Sequence, residues 1–278
     1  MDTYYFRKYL DVAPFALALW RAPEANFIRD GYAKVTNTDF SKQTTIKLKT
    51  PILDVGCGFG EFAGVFFDSQ IEIGVDISIE DLLRAEKGEK YKKLVSADAR
   101  HLPFSKNTFS TVISVSVLEH ISTPKKCIQE AYRVLKPGGI LILTIVTSDI
   151  NNHLFYPPLL KKLGLYRVAD EYIKYYHHIF KHITLYSPQK WKQIVEQAGF
   201  TIRLQRGTFS DKLVKAFDFF LLTALPSQVS RWLNGSRWVW GLSVKKRLLE
   251  PLYIWLTKET IMTKSNILII AQKPDKNR

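Results

Sequence analysis

Short apolar runs and helically spaced ones alternate through the middle of the chain. Short runs carrying Ile, Leu and Val at 51–56, 71–76, 92–96, 110–116 and 139–147 have the length of strands. Between them, at 60–69, 78–88 and 123–136, apolar residues return every three or four positions, as on a helix with one inward face. Strands and helices in this order predict a mostly parallel, doubly wound α/β sheet. Pro137-Gly138-Gly139 predicts a helix end and a turn into the following strand. Further on, Ser187-Pro188 opens a helix predicted over 187–198, followed by strands at 200–206 and 266–272. Upstream, residues 3–40 carry Tyr and Phe at helical spacing and the apolar run Phe15–Trp20, which predicts one or two helices. The predicted organisation is an N-terminal helical cap at 1–50 and a core at 51–206 with a lid at 148–186. A helical insertion at 207–264 and a final strand with tail at 265–278 complete it.

Residues 52–60 hold the strongest chemical signal. An apolar run reaches Asp54 and breaks into glycines at 56, 58 and 60, after which Glu61 to Phe67 begin a helix. A buried strand turning sharply into a helix points that helix's unpaired N–H groups at a ligand. Sixteen residues beyond Gly60, the next apolar strand ends in Asp76. A carboxylate one βαβ unit along, at a strand's carboxyl end, is placed to accept both hydroxyls of a ribose. These features predict a cofactor that contains a nucleoside. A dinucleotide fingerprint, GxGxxG, would need its third glycine at 61, which is Glu61. A pyrophosphate would also meet two carboxylates, Asp54 and Glu61, with no neighbouring Lys or Arg. A zwitterionic amino-acid tail suits the turn better, its ammonium toward Asp54 and its carboxylate on the helix N–H groups. S-adenosyl-L-methionine joins such a tail to a ribose and an adenine.

Asp54–Gly60, Asp76, Ala97-Asp98-Ala99 with Leu102-Pro103-Phe104, Val117-Leu118-Glu119-His120 and Leu135–Gly139 stand in one order and spacing. Together they resemble class I S-adenosylmethionine-dependent methyltransferases, and among them the broad subgroup with many small-molecule and lipid-precursor enzymes. The resemblance covers 45–147 closely and 184–204 more loosely. It implies a seven-stranded, Rossmann-like sandwich and cofactor contacts from Asp54, Gly56, Cys57, Gly58, Gly60, Asp76, Ile77, Asp98, Ala99, Ser114 and Ser116. Asp98 resembles the family's contact to the adenine amino group. Ser114 and Ser116 either present backbone to the methionine part or pack as small residues against the loop. Glu119 and His120 match a family motif and are expected to be structural. In the related fold the last two strands are an antiparallel pair joined by a short turn, whereas here 58 residues, 207–264, intervene.

Composition changes this picture in two ways. A hydrophobic share of 46% with 24% charged residues allows a buried core. The formal charge of +14 implies attraction to anionic surfaces without choosing among nucleic acid, phospholipid and phosphorylated substrate. Cys57 and Cys127 fall in a glycine loop and a predicted helix, so no structural disulfide is expected, consistent with a cytoplasmic protein. The N-terminus has no signal-peptide pattern, and no apolar window is long enough to predict a membrane span. Residues 207–262 interleave Phe217, Phe219, Phe220, Trp232, Trp238, Trp240 and Trp255 with Lys212, Lys215, Arg231, Arg237, Lys245, Lys246 and Arg247. Such a segment either lies against an anionic membrane, making the protein peripheral, or packs on the core, or forms a homodimer face. Nucleic acid ranks last, because no RNA-binding module accompanies the basic residues.

Methyl transfer is an in-line displacement that depends first on positioning, and an oxygen acceptor also has to lose a proton. The weak candidates for a base are His153, His177, His178 and Tyr176, with His182, Tyr172, Tyr175, Tyr4 and Tyr5 behind them. No acidic cluster completes a metal shell around the histidines, so no metal is expected. The leading expectation is an S-adenosylmethionine-dependent methyltransferase with a small-molecule or lipid-linked acceptor: a quinone, isoprenoid, polyketide or glycan precursor. An RNA or protein methyltransferase, a non-catalytic membrane-associated module of the same fold, and a nicotinamide-dependent oxidoreductase are the alternatives.

Overall fold

Strand β1 (Ile52–Val55) is buried along its whole length. It pairs in parallel with β2 (Ile71–Asp76) on one side and β4 (Phe109–Val115) on the other, which sets Asp54 opposite Gly74 and Ile113. β3 (Tyr91–Ser96) extends the sheet beyond β2 and β5 (Leu135–Val146) extends it beyond β4, both in parallel. β7 (Asn266–Gln272) lies antiparallel to β5, and β6 (Thr201–Gly207) takes the edge beyond it. The order is therefore β3-β2-β1-β4-β5-β7-β6, the mixed seven-stranded, Rossmann-like arrangement that the motifs implied. This computed structural model describes residues 2–38, 46–221, 242–258 and 261–275. Its helices are α1 (Tyr4–Val12), α2 (Phe15–Thr36), α3 (Glu61–Phe66), α4 (Ile79–Glu86), α5 (Pro124–Val134), α6 (Tyr156–Lys162), α7 (Tyr166–Ile179), α8 (Pro188–Gln197), α9 (Asp211–Leu221) and α10 (Leu242–Thr257).

The described chain divides into two compact units, each assembled from discontinuous segments. The sheet unit comprises residues 28–148, 183–206 and 266–278. Its core joins Leu53, Val112, Leu141, Leu143 and Ile269 from the strands to Ile128 of α5 and Trp191 of α8. Burying such side chains contributes about 1.5–3 kcal/mol each. Local chemistry fixes where its helices start: the Ser78 hydroxyl accepts from the Asp81 amide to open α4, and Ser187 accepts from Lys190 to open α8, with Pro188 in the first turn.

Two predicted boundaries move by three residues or more. The helix expected over 123–136 ends at Val134, and β5 begins at Leu135 instead of 139. Leu135 is already extended and pairs with Phe109, and the Gly138 amide donates to the Lys273 carbonyl, so the Pro-Gly-Gly segment is held within the sheet. The helix expected over 60–69 stops at Phe66, because Phe67 turns extended.

The second unit comprises residues 1–27, 149–182 and 207–265. It thus draws on the predicted cap, the predicted lid and the predicted insertion, and aromatic packing dominates it. Phe6 of α1 stacks on Tyr253 of α10 with ring centroids 4.1 Å apart, and Arg7 forks onto Glu250 beside them. Trp20 of α2 meets Phe209 and Phe217 at 4.2 and 4.6 Å. Asp218 of α9, fully buried, accepts from the Tyr172 hydroxyl (2.5 Å) and from the amides of Phe155 and Tyr156. Trp255 remains exposed, with Lys212 Nζ 5.4 Å from its ring centroid. Trp232, Trp238, Trp240, Arg231 and Arg237, and the side chains of Lys245, Lys246 and Arg247, lie outside the described residues. Among the described residues no helix is long and apolar enough to cross a membrane.

Candidate cofactor site

The carboxyl ends of β1 and β2 converge on the glycine turn. Gly56, Gly58 and Gly60 all have left-handed backbones, with φ of +77°, +51° and +78°. At Gly56 a side chain would also strike the Val117 methyls, which lie 2.5 Å from where its Cβ would stand. At Gly58 an added Cβ would meet nothing within 4 Å, so the backbone there faces open space. The turn is stitched to β2: the amides of Gly56 and Cys57 both donate to the Val75 carbonyl, at 2.8 and 3.0 Å. Asp76 completes the stitching. Its Oδ2 accepts from the Gly58 amide (2.8 Å) and its Oδ1 from the Ser78 amide (2.9 Å). The carboxylate is thereby aimed by its own backbone, with lone pairs left on both oxygens. Beside it, Ile77 is 70% exposed.

Beneath the turn sits a residue that sequence reasoning did not single out. Tyr91, the first residue of β3, donates its hydroxyl to Asp54 Oδ2 at 2.8 Å. Its ring reaches Asp54 by passing over β2 at Gly74, where any Cβ would lie 2.8 Å from the ring carbons. A glycine inside a buried strand is the signal that could have exposed this contact. Asp54 is only 4% exposed. Burial pushes its carboxyl up to about 7, the Tyr91 hydrogen bond pulls it back down, and neighbouring Asp76 adds to the rise. Burial likewise raises the Tyr91 phenol and the Cys57 thiol.

The other residues expected at the cofactor fall at the ends of β3 and β4. Asp98 is gripped by its near neighbour: the Arg100 guanidinium donates to both carboxylate oxygens, at 2.6–3.0 Å, and the Arg100 amide to Oδ1. That guanidinium holds the Asp98 carboxyl below the usual carboxylate range. Ala99, between them, is half-buried. The Ser114 hydroxyl donates to the Val55 carbonyl at 2.9 Å, tying β4 to the end of β1. Ser116 adopts φ +52°, uncommon for a residue with a side chain, and its amide donates to the Thr144 carbonyl. Glu119 is fully buried; its Oε1 accepts from the Val146 amide, and its carbonyl from the amides of Ile183 and Thr184. In a parallel sheet the carboxyl ends of the strands are where ligands bind.

The four candidate bases all belong to the other unit. His153 lies between two carboxylates, Nδ1 at 2.8 Å from Asp211 and Nε2 at 3.3 Å from Asp149. His177 pairs Nδ1 to Nδ1 with His182 at 3.0 Å and places Nε2 2.7 Å from Asn151 Oδ1, and burial lowers its basicity. Tyr176 is buried, which raises its phenol well above the ordinary value. His178 is exposed. Among the described residues no group of three or more His, Cys, Asp or Glu side chains could hold a metal ion.

A family profile described as a methyltransferase domain matches residues 53–143, the stretch from β1 into β5. A demethylmenaquinone methyltransferase of Protochlamydia amoebophila is 32% identical over 168 residues, covering 54% of this chain and 68% of the relative. A tRNA (carboxymethyluridine(34)-5-O)-methyltransferase of Arabidopsis thaliana is 40% identical over 103 residues, covering 35% of this chain and 24% of the relative. The chain spans 55%, 41% and 24% of the length of three of the curated relatives it matches. Among solved structures, a geranyl diphosphate methyltransferase in complex with S-adenosylmethionine superposes with a TM-score of 0.53 at 13% identity, covering 93% of this chain and 90% of that one. That likeness is one of fold.

Proposed function

The chain belongs to the class I S-adenosylmethionine-dependent methyltransferase family, and we propose that it transfers a methyl group from S-adenosylmethionine to a small-molecule or lipid-linked acceptor. The observation that carries this reading is the pre-aimed pair at the carboxyl ends of β1 and β2. A turn with three left-handed glycines opens onto space at Gly58, and an Asp76 carboxylate is held in place by the amides of Gly58 and Ser78. These residues fit the cofactor: Gly56, Cys57, Gly58 and Gly60 offer close backbone approach, and Asp76 offers acceptors to a ribose diol. Ile77 offers an exposed apolar face to an adenine, with Asp98 and Ala99 beyond β3. Ser114 and Ser116 shape the methionine end. The cofactor, when bound, supplies an electrophilic methyl group on a sulfonium. The chain's own contribution is orientation, which in favourable cases accounts for about 7–11 kcal/mol of a barrier.

The acceptor class follows from weaker support. A relative covered over 68% of its length is named for demethylmenaquinone, which makes a quinone the first acceptor to test. The test is incubation of purified protein with methyl-labelled S-adenosylmethionine and a lysate of its source cells, followed by solvent partition. Label is expected in the organic phase. Protein-dependent label in the aqueous or acid-precipitable fraction would move the acceptor to a sugar, RNA or protein. No transfer into any fraction, with no cofactor binding by calorimetry, would overturn the reading. Asp76→Ala is expected to weaken cofactor binding at least about tenfold, or about 1.4 kcal/mol, with the fold intact; equal affinity would remove the ribose assignment.

A further inference from the structure

The hairpin of α6 and α7 carries a surface that the cofactor site does not explain. Residues 161–168, Lys-Lys-Leu-Gly-Leu-Tyr-Arg-Val, are exposed without a break. Within and just before that run, Leu159, Leu163, Leu165, Tyr166 and Val168 are each between 44% and 66% exposed. Single exposed apolar residues are ordinary, but five on one hairpin tip form a patch that calls for a partner. The tip is well formed. The Leu165 amide donates to the Leu160 carbonyl and the Gly164 amide to the Lys161 carbonyl, with Gly164 at φ +76°, so a glycine cap ends α6. The hairpin's base is anchored within its own unit: Ala169 and Tyr176 are buried, and Tyr156 and Tyr172 are tied to α9 through Asp218 and the Phe219 carbonyl.

Charge identifies the partner. Lys161, Lys162 and Arg167 stand among the exposed apolar residues at the tip, and the first acidic side chains, Asp170 and Glu171, come only after it. Lys161 is 3.8 Å from Asp170, whereas Lys162 and Arg167 make no ion pair among the described residues. Leucine and tyrosine side chains that enter the headgroup layer, ringed by cations that meet phosphate, are the chemistry of interfacial membrane docking. We propose that the α6–α7 tip docks the protein on an anionic lipid bilayer. This assigns the lipid contact to residues 159–168, outside the Trp-rich 207–262 segment. Docking would bring a lipid-linked acceptor within reach by concentrating enzyme and substrate on one surface.

The test is co-sedimentation of the full chain with vesicles of phosphatidylcholine alone or mixed with phosphatidylglycerol. It is read without cofactor or acceptor, so its outcome is separate from that of the methyl-transfer reading. The wild type is expected to bind the mixed vesicles, and more weakly as salt rises. Leu163→Asp with Tyr166→Asp, and separately Lys162→Glu with Arg167→Glu, should each lower the partition coefficient at least about tenfold with unchanged urea midpoints. Absence of vesicle binding by the wild type, or binding by both variants equal to it, overturns the proposal. So does loss of binding in Trp255→Ser when the hairpin variants keep theirs, which would assign the contact to 207–262. Sedimentation of the wild type as a dimer that the tip variants dissociate, without any vesicle binding, would make the tip an interface between copies and also overturn the proposal.

Discussion

Tyr91 acts on the glycine turn from two strands away. Its hydroxyl is the donor to the buried carboxylate of Asp54 on β1, and its ring fills the space that Gly74 leaves open. Tyr91→Phe removes one hydrogen bond from a buried carboxyl, and the protein should lose about 1–3 kcal/mol in urea titration. Gly74→Ala drives a methyl into that ring and into Cys57 Sγ, and should cost about 1–3 kcal/mol by overpacking. Asp54 gives the pH dependence. Its folded value of about 7 stands above the ordinary carboxylate value, so between about 4 and 7 the native state binds more protons than the unfolded chain. Stability from this group is therefore present at acid pH and declines as pH rises through that window, by roughly 4 kcal/mol in all. Asp54→Asn should flatten that part of the stability–pH curve; a curve with an unchanged slope would show that Asp54 titrates normally.

Elements differ in how plainly the sequence announces them. β1, β2 and β4 were legible because each carries Ile, Leu or Val through a short run flanked by turn or helix signals, and β2 and β7 fall on their predicted residues. The start of β5 was not legible, because Leu135–Gly139 carries Pro and two glycines that look like a turn and are held in place by the distant Phe109, Gln272 and Lys273. α6 and α7 were hidden for a related reason. Pro157-Pro158 and Gly164 punctuate the segment like a loop, yet the prolines sit in the first turn of α6, where no amide is needed, and the glycine caps its end. The meeting of the glycine turn with Asp76 could be read from their spacing, whereas Tyr91 depended on a contact across β2 that no spacing encodes. Asp218 is the comparable hidden residue in the helical unit. Asp218→Ala leaves three part-buried donors unmet, at up to about 1–3 kcal/mol each. Hydrogen exchange should then speed up in α6, α7 and α9 while β1, β2 and β4 keep their protection; uniform loss across the chain would show that the two units do not open separately.

At the scale of the whole molecule, order in sequence and order in space part company. β7, the last strand, lies between β5 and β6, so β6 has no neighbour in the sheet until β7 arrives. Ending the chain at Ser265 is therefore expected to abolish cooperative unfolding by circular dichroism, and a truncated chain with a wild-type urea transition would refute that dependence. The same placement matters while the protein is being made. A ribosome working at about 5–20 residues per second takes about 3–12 s to pass from Thr208 to Ser265. Throughout that interval the edges of β5 and β6 that β7 will join present unmatched backbone donors and acceptors to whatever strand comes near. The nascent chain's exposure to mispairing is thus set by the length of the segment between β6 and β7, and shortening 208–265 should reduce its demand for chaperones during synthesis.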